Sequence, residues 1–295
     1  MEKGLVIKSL SNRYTVRTDN DEYICKPRGL FRKEGFKPLC GDRVIFEITD
    51  SSCKEGYIYS IEERKNLLIR PPVANIDTVV IVFSVNSPVW DELLVDLLVL
   101  ACYSNDIEPV LCINKSDLAS KEEIRNILYQ YSKSGCRIVT TDAKHNNGLG
   151  DLKSLLTGKI SVFAGQSGAG KSTLINSLTN TRIMQTGTLS DRIERGKNTT
   201  RHCELLSFDG GYIADTPGFS KFDPGLLQPD AIMSMYTDFN PYRKMCRFND
   251  CKHINEKNCA VINAVEKGEI PIERHNRYKI IYNMSKEALK IRRGY

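Results

Sequence analysis

No stretch of this 295-residue sequence is apolar for long enough to cross a membrane. The strongest candidate, Leu93 to Cys102, is short and broken by Asp96. The opening residues, Met1 to Leu10, lack the apolar core of a secretory signal, and no lipidation motif or amphipathic anchor is evident. Internal repeats and low-complexity tracts are also missing. Apolar and charged fractions of 41% and 26% exclude disordered and collagen-like chains. These absences predict a cytoplasmic protein that does not work at a membrane.

Ten cysteines are present, but their distribution argues against a disulfide framework. Seven are scattered singly, several inside apolar runs, as buried reduced thiols are. The other three, Cys246, Cys251 and Cys259, crowd into one polar segment with His253. A reducing compartment fits this usage. The net charge of +6 is also uneven. Lys and Arg outnumber Asp and Glu by 13 to 11 in residues 1–65, balance them at 16 each in 66–222, and exceed them by 13 to 9 in 223–295. Excess confined to the flanks leans toward an anionic partner such as nucleic acid, although a mild basic bias also serves solubility alone.

Residues 1–65 read as short strands, Leu5–Ser9, Tyr14–Thr18, Glu22–Lys26, Arg43–Thr49 and Gly56–Glu62, punctuated by Gly, Asp and Asn. Five such strands suit a small closed barrel of the oligonucleotide-binding type. The connection from Pro27 to Gly41 carries Arg28, Arg32, Lys33 and Lys37 with Phe31 and Phe36 between them. Basic side chains interleaved with aromatics suit phosphates and stacked bases; a solvated loop with two anchoring rings has the same composition. The pair Pro71-Pro72 marks a boundary. Beyond it, apolar β-branched strands (Thr78–Val85, Pro109–Ile113, Arg137–Thr141, Ser161–Ala164, Cys203–Phe208, Tyr212–Ala214) alternate with helical patterns (Trp90–Ser104, Lys121–Ser134, Leu149–Leu156, Lys171–Leu178). That alternation indicates a parallel sheet covered on both faces. From Asp223 onward the pattern is helical and irregular, ending in Arg274–Tyr295 with seven basic residues against the single acid Glu287.

Four motifs carry chemistry. Gly165-Gln166-Ser167-Gly168-Ala169-Gly170-Lys171-Ser172-Thr173 lies between a strand and a helix, the setting a P-loop requires. Its glycines let backbone N–H groups converge on phosphate oxygens, and the helix N-terminus adds a favourable dipole. Lys171 would reach the β- and γ-phosphates, and the Ser172 hydroxyl would ligate Mg²⁺. Asn114-Lys115-Ser116-Asp117 ends an apolar strand. A carboxylate at 117 accepts hydrogens from guanine N1–H and the 2-amino group, which adenine does not offer there. Asn114 and Lys115 would support the loop and cover the base. Alone this tetrapeptide is a weak signal; beside a P-loop it is a strong one.

The third motif, Asp215-Thr216-Pro217-Gly218, follows a strand. Asp215 would hold Mg²⁺ through water, and the Gly218 N–H would meet the γ-phosphate. Between motifs, Gly196 to His202 reads as a first switch in which Thr199 or Thr200 ligates Mg²⁺. The fourth motif is the cluster Cys246, Cys251, His253 and Cys259, four soft ligands within fourteen residues. They suit one tetrahedral, structural Zn²⁺ with no open position; incidental cysteines are the competing explanation.

The motif order is unusual. In Ras-like GTPases the phosphate loop precedes the base loop, whereas here Asn114–Asp117 comes first. Joining old termini and opening the chain elsewhere preserves a sheet when the ends lie close together. The expected fold is therefore multidomain α/β: an OB-type β-barrel (1–65), a circularly permuted Ras-like P-loop GTPase domain with a Rossmann-like parallel sheet (66–222), and a helical zinc-binding domain (223–295). With this order, Asp215–Gly218 leads straight into the zinc-bearing region.

These residues together resemble one family, the ribosome small-subunit-dependent GTPases called RsgA. The resemblance rests on the barrel-like start, N-K-S-D at 114–117, G-Q-S-G-A-G-K-S-T at 165–173, D-T-P-G at 215–218 and the Cys/His cluster, and covers essentially the whole chain. It implies GTP hydrolysis to GDP stimulated by the small (30S) subunit, late in that subunit's maturation. It also implies 16S rRNA contacts from both flanks, with GTP/GDP, Mg²⁺ and Zn²⁺ as cofactors; a monomer is expected. Phe219 occupies the place of the Ras-like water-orienting glutamine, a hydrophobic substitution that similar proteins share, whereas Asn198 stands where they commonly carry a histidine. Asn198 cannot act as a base, but its amide could orient water, and phosphoryl transfer depends mostly on positioning and charge. His202 is another candidate for that role, or a solvated switch histidine. The base-ring loop reads Thr141-Asp142-Ala143-Lys144 instead of S-A-K, with the Ala143 N–H placed to meet guanine O6. The competing functions are a nucleotide-gated RNA-binding scaffold with negligible hydrolysis, and an ATPase or kinase, against which N-K-S-D argues.

Overall fold

Alternating apolar and polar residues shape the first five strands: β1 (Glu2–Leu10), β2 (Arg13–Arg17), β3 (Glu22–Pro27), β4 (Arg43–Asp50) and β5 (Glu55–Ile61). They pair in the order β1-β2-β3-β5-β4, and β4 returns to β1 from Glu2↔Phe46 to Leu5↔Arg43, closing a barrel. The β3–β5 pair is parallel and the other four pairs are antiparallel. Inward residues Val6, Tyr14, Val16, Cys25, Val44, Phe46 and Ile58 fill the barrel. This is the OB-type barrel expected from the sequence. The computed structural model describes residues 1–10, 12–29, 37–69, 71–179, 203–219 and 227–292, with no side chains described from 215 to 219. Phe31, Arg32, Lys33 and Phe36, and the switch residues Asn198, Thr199, Thr200 and His202, lie outside the described residues. So do the side chains of Asp215 and Phe219.

A short hairpin, β6 (Leu67–Ile69) and β7 (Pro72–Ala74), was not anticipated; the Pro71-Pro72 pair lies where its chain turns back. After it come β8 (Thr78–Ser84), α1 (Glu92–Tyr103), β9 (Glu108–Asn114), α2 (Lys121–Tyr131), β10 (Arg137–Thr140), α3 (Leu149–Leu156), β11 (Ile160–Ala164), α4 (Lys171–Thr179), β12 (Cys203–Phe208) and β13 (Gly211–Phe219). Every residue of β8 and β11 is buried, as continuous β-branched and apolar runs require. The Asp91 side chain caps α1 by accepting the Leu94 N–H at 3.0 Å. Ser120 and Glu123 form a capping box on α2. Among the described residues, four further α-helices follow: α5 (Pro229–Met235), α6 (Asn240–Arg243), α7 (Ala260–Glu266) and α8 (Ile272–Arg292).

Packing divides the chain into two units. The first comprises Met1–Val80, Leu149–Ala164 and Lys171–Phe219. In it β11 and β13 run parallel, β12 is antiparallel to β13, and β12 pairs with β1 of the barrel through Lys8↔Glu204 and Ser9↔Cys203. The second comprises Ile81–Gly148, Gly165–Gly170 and Ser220–Tyr295. There β9 lies between β10 and β8, with β9 and β10 parallel from Val110↔Arg137 to Ile113↔Thr140. Leu97 and Leu100 of α1 share a core with Ile232, Tyr236, Phe239, Val261, Tyr278 and Ile281.

Two sequence readings are sharpened here. All ten cysteines are free, and five of the seven scattered ones (Cys25, Cys40, Cys102, Cys112, Cys203) are buried. The basic run at the C-terminus is not a uniformly solvated face: Arg274 and Arg277 are buried and ion-paired with Asp96, so they are unavailable to an anionic partner.

Candidate nucleotide and metal sites

The loop after β9 and the phosphate-type loop meet within the second unit. Asn114, almost fully buried, donates through Nδ2 to the Ala169 carbonyl at 2.9 Å. Its Oδ1 accepts the Thr141 hydroxyl at 3.1 Å and the Ala143 N–H at 3.3 Å. One amide thus ties three loops together. The Ala143 N–H, expected to meet guanine O6, is engaged here with Asn114. Lys115 adopts a left-handed conformation (φ 57°), and its ammonium donates to the carbonyls of Ser87 at 2.7 Å and Gly168 at 2.9 Å. Ser116 N–H donates to Thr141 O at 3.1 Å, and Asp117 is left exposed on a single 3₁₀ turn, Ser116–Leu118.

None of the loop's three glycines can be replaced without strain, Gly168 having φ +82°. Gly165 has φ +121°, and a Cβ there would stand 2.0 Å from Val82 O. Gly170 has φ +98°, and its Cβ would stand 2.3 Å from Asn114 Nδ2. The chain order is β11, then Gly165–Gly170, then α4, whose first turn carries Lys171, Ser172 and Thr173. Burial holds the Lys171 ammonium below its ordinary pKa. Gln166 accepts the Ala169 N–H through its carbonyl at 3.3 Å, turning the loop through Ser167 and Gly168.

The base-ring loop contains a pair that sequence reasoning passed over. Asp142 is buried and accepts the N–H groups of Lys144 and His145 at 3.1 and 3.2 Å. Its Oδ2 lies 2.5 Å from His145 Nδ1. Burial pushes the Asp142 carboxyl up, but the His145 ring and these N–H groups outweigh it and hold the pKa below the usual value. Asp142 therefore shapes the turn, a role a serine fills with fewer acceptors. A polar residue before Ala-Lys at a strand end was the available signal.

The cysteine–histidine cluster converges as its spacing predicts. Cys246 Sγ lies 3.5 Å from His253 Nδ1 and 3.9 Å from Cys259 Sγ, and His253 Nδ1 lies 3.3 Å from Cys259 Sγ. Cys251 completes a set whose ligand atoms all fall within 4.8 Å of one another. A tetrahedron with Zn–S of about 2.3 Å and Zn–N of about 2.0 Å has S···S edges of about 3.8 Å and S···N edges of about 3.5 Å, so the set fits one Zn²⁺. Burial pushes the His253 imidazole down to about 4, leaving it neutral, and the Cys251 thiol up to about 12. The Glu256 carboxylate accepts the N–H groups of Lys252, Ile254 and Asn255, while His275 Nε2 and Tyr278 OH hold the carbonyls of His253 (2.7 Å) and Lys252 (2.6 Å). These outer contacts fix the ligand loop.

A barrel of OB type, a strand–loop–helix phosphate motif, a base loop that precedes it in sequence and a C-terminal Cys/His cluster define a circularly permuted P-loop GTPase. Residues 61–224 match the family described as RsgA GTPase, and residues 3–58 match the RsgA N-terminal domain. The chain belongs to the RsgA GTPase family. It is similar to two proteins called small ribosomal subunit biogenesis GTPase RsgA. That of Geobacillus kaustophilus is 43% identical over 281 residues, covering 94% of this chain and 95% of the relative. That of Ruminiclostridium cellulolyticum is 42% identical over 290 residues, covering 97% and 95%. Among solved structures it resembles YloQ, a circularly permuted GTPase, with TM-score 0.81 and 33% identity over 97% of this chain and 96% of that one. YjeQ from Thermotoga maritima gives TM-score 0.80 and 35% identity, with coverage of 96% and 98%.

Proposed function

We propose that the chain hydrolyses GTP to GDP and phosphate on the small ribosomal subunit, late in that subunit's maturation, with its turnover stimulated by the subunit. The barrel (1–65) and the zinc-bearing region (223–295) would contact 16S rRNA, flanking the GTPase domain (66–222). The observation that carries the nucleotide part is the fastening of the Asn114–Asp117 loop to the phosphate loop, through Ala169 O and Gly168 O. It supports Asp117 reading the N1–H and 2-amino group of a guanine whose phosphates lie on the N–H groups of Gly165–Gly170. Lys171 would meet the β- and γ-phosphates. Ser172 and one of Thr199 and Thr200 would hold Mg²⁺, with Asp215 acting through water. The Gly218 N–H would approach the γ-phosphate, and Asn198 would orient the attacking water. Among the described residues no helix is long and apolar enough to cross a membrane.

The test is GTP hydrolysis by the full chain with and without purified small subunits, alongside Asn198→His. Stimulation by subunits is expected, with a further gain in the histidine variant if water orientation limits chemistry. Equal turnover with and without subunits overturns the ribosomal reading.

A further inference from the structure

Asp96 interrupts the apolar helix α1, and its carboxylate is fully buried. Oδ1 accepts from Arg274 Nη1 at 2.5 Å and from Tyr131 OH at 2.6 Å. Oδ2 accepts from Arg277 Nε at 2.8 Å and from Tyr236 OH at 3.2 Å. Arg274 also holds Asp238 through Nε at 2.9 Å, and Arg277 Nη1 reaches Gln130 Oε1 at 2.9 Å and the Glu92 carboxylate. Both guanidinium groups lie against the Tyr131 ring, at 4.9 and 5.7 Å from its centroid. Two cations face two buried carboxylates, with a third at the rim. Removing one member of such a cluster leaves an uncompensated charge inside the protein.

From this cluster a continuous packed chain runs to the nucleotide loops. Tyr131 packs on Trp90 with ring centroids 6.3 Å apart, and Trp90 stacks on Phe83 at 5.2 Å. Phe83 and Trp90 bracket the segment Ser84–Val89. That segment touches the base loop and approaches the phosphate loop. Its Ser87 carbonyl accepts the Lys115 ammonium, and its Asn86 side chain donates to Leu118 O at 2.9 Å, at the end of the turn that carries Asp117. Its Pro88 ring stands 3.6 Å from where a Gly168 Cβ would be.

We propose that Arg274 and Arg277, on the C-terminal helix, are positioning residues for the guanine-nucleotide loops, acting through Asp96, Tyr131 and Trp90 on the Ser84–Val89 segment. The same helix grips the metal loop through His275 and Tyr278. A shift of the metal-bearing region is thereby felt at Lys115 and Asp117, by a route separate from the Asp215–Gly218 segment. The proposal rests on the reading of those loops as a guanine-nucleotide site.

Trp90 is the single tryptophan of the chain, so its emission reports on the middle of this route. The experiment measures, on the full chain, the dissociation rate of fluorescent GDP, the change in Trp90 emission on adding GDP, and the melting temperature. Asp96→Asn and Arg277→Lys are compared with Ile281→Val, a change in the same helical core outside the cluster. Coupling through such networks is worth about two- to thirtyfold in an equilibrium or rate. Asp96→Asn is expected to speed GDP release within that range and to shrink the Trp90 response. Arg277→Lys, which keeps the charge but loses the fork, should fall between it and the native chain. Ile281→Val should lower the melting temperature and leave GDP release and emission at native values. Native GDP release in folded Arg277→Lys and Asp96→Asn, or equal acceleration in Ile281→Val, overturns the positioning role. If Asp96→Asn does not fold, Arg277→Lys against Ile281→Val decides. A native chain that binds GDP no better than ADP overturns the nucleotide reading itself, and this proposal with it.

Discussion

Asn114 Nδ2 donates to the Ala169 carbonyl at 2.9 Å, joining loops fifty-five residues apart in the sequence. In chain order the base loop precedes the phosphate loop, the reverse of the Ras-like arrangement. The contact shows that order along the chain and neighbourhood in space are separable. A sheet keeps its strand positions when old termini are joined and new ones opened at the surface.

That contact separates two kinds of failure. Asp117 sits exposed at the rim and makes none of these loop-holding bonds, whereas Asn114 ties three loops.

 Asp117→Ala should weaken GDP binding by about a hundredfold or more, because two donors of the base lose a charged acceptor, and should leave weak ATP binding unchanged. Asn114→Ala should weaken both nucleotides and lower the melting temperature as well, since it leaves the Ala169 carbonyl and the Thr141 hydroxyl without their partner. Titration of each variant with GDP and ATP checks this. Loss of both nucleotides in equal measure in Asp117→Ala would show that the carboxylate does not select the base.

Lys171 predicts a pH dependence of binding. Burial holds its pKa below the ordinary lysine value in the free protein, and phosphate oxygens would raise it in the complex. Affinity should therefore be full at pH values below the free-state pKa and decline as pH rises through the interval between the two values. GDP binding within that interval takes up protons. Calorimetry in buffers of different ionisation enthalpy, from neutral pH up to about 10, reads the uptake directly. Lys171→Met should bind weakly and show no such uptake. Affinity of the native chain that stays flat over this range would place the lysine away from the phosphates.

The Cys/His cluster predicts metal content. The purified native chain should carry one Zn²⁺, and Cys251→Ser or His253→Ala should lose most of it and melt at a lower temperature. Cys251 and Cys259 share their core with Tyr278 and Ile281, so an unfastened metal loop opens that core. Cys53→Ser, at an exposed scattered cysteine, should change neither property. Elemental analysis with thermal melting is the measurement. A full complement of zinc in Cys251→Ser would remove that residue from the ligand set.

Much of the site could be read before any fold was known, for physical reasons that are local. Positive-φ glycines next to a strand and a lysine form a phosphate loop from consecutive residues, and four soft ligands within fourteen positions need little chain to converge. The barrel strands were legible because one inward face imposes alternation along each of them. The three-residue strands β6 and β7 were not, because they are too short to show a period. Asp142 was passed over because its carboxylate is occupied by its own turn, and nothing in a single sequence distinguishes such a carboxylate from a solvated one.

The sequence by itself determined the chemistry on offer: which residues can cradle phosphates, read guanine and hold zinc, and in what order they come. Tertiary structure alone decided which charges are inside. Arg274 and Arg277 belong to a run of basic residues that reads as a surface for an anion, yet their partner Asp96 stands 178 and 181 positions away. Ion pairing is set by distance in space and by exclusion of water, and neither is written in the neighbours of a residue along the chain.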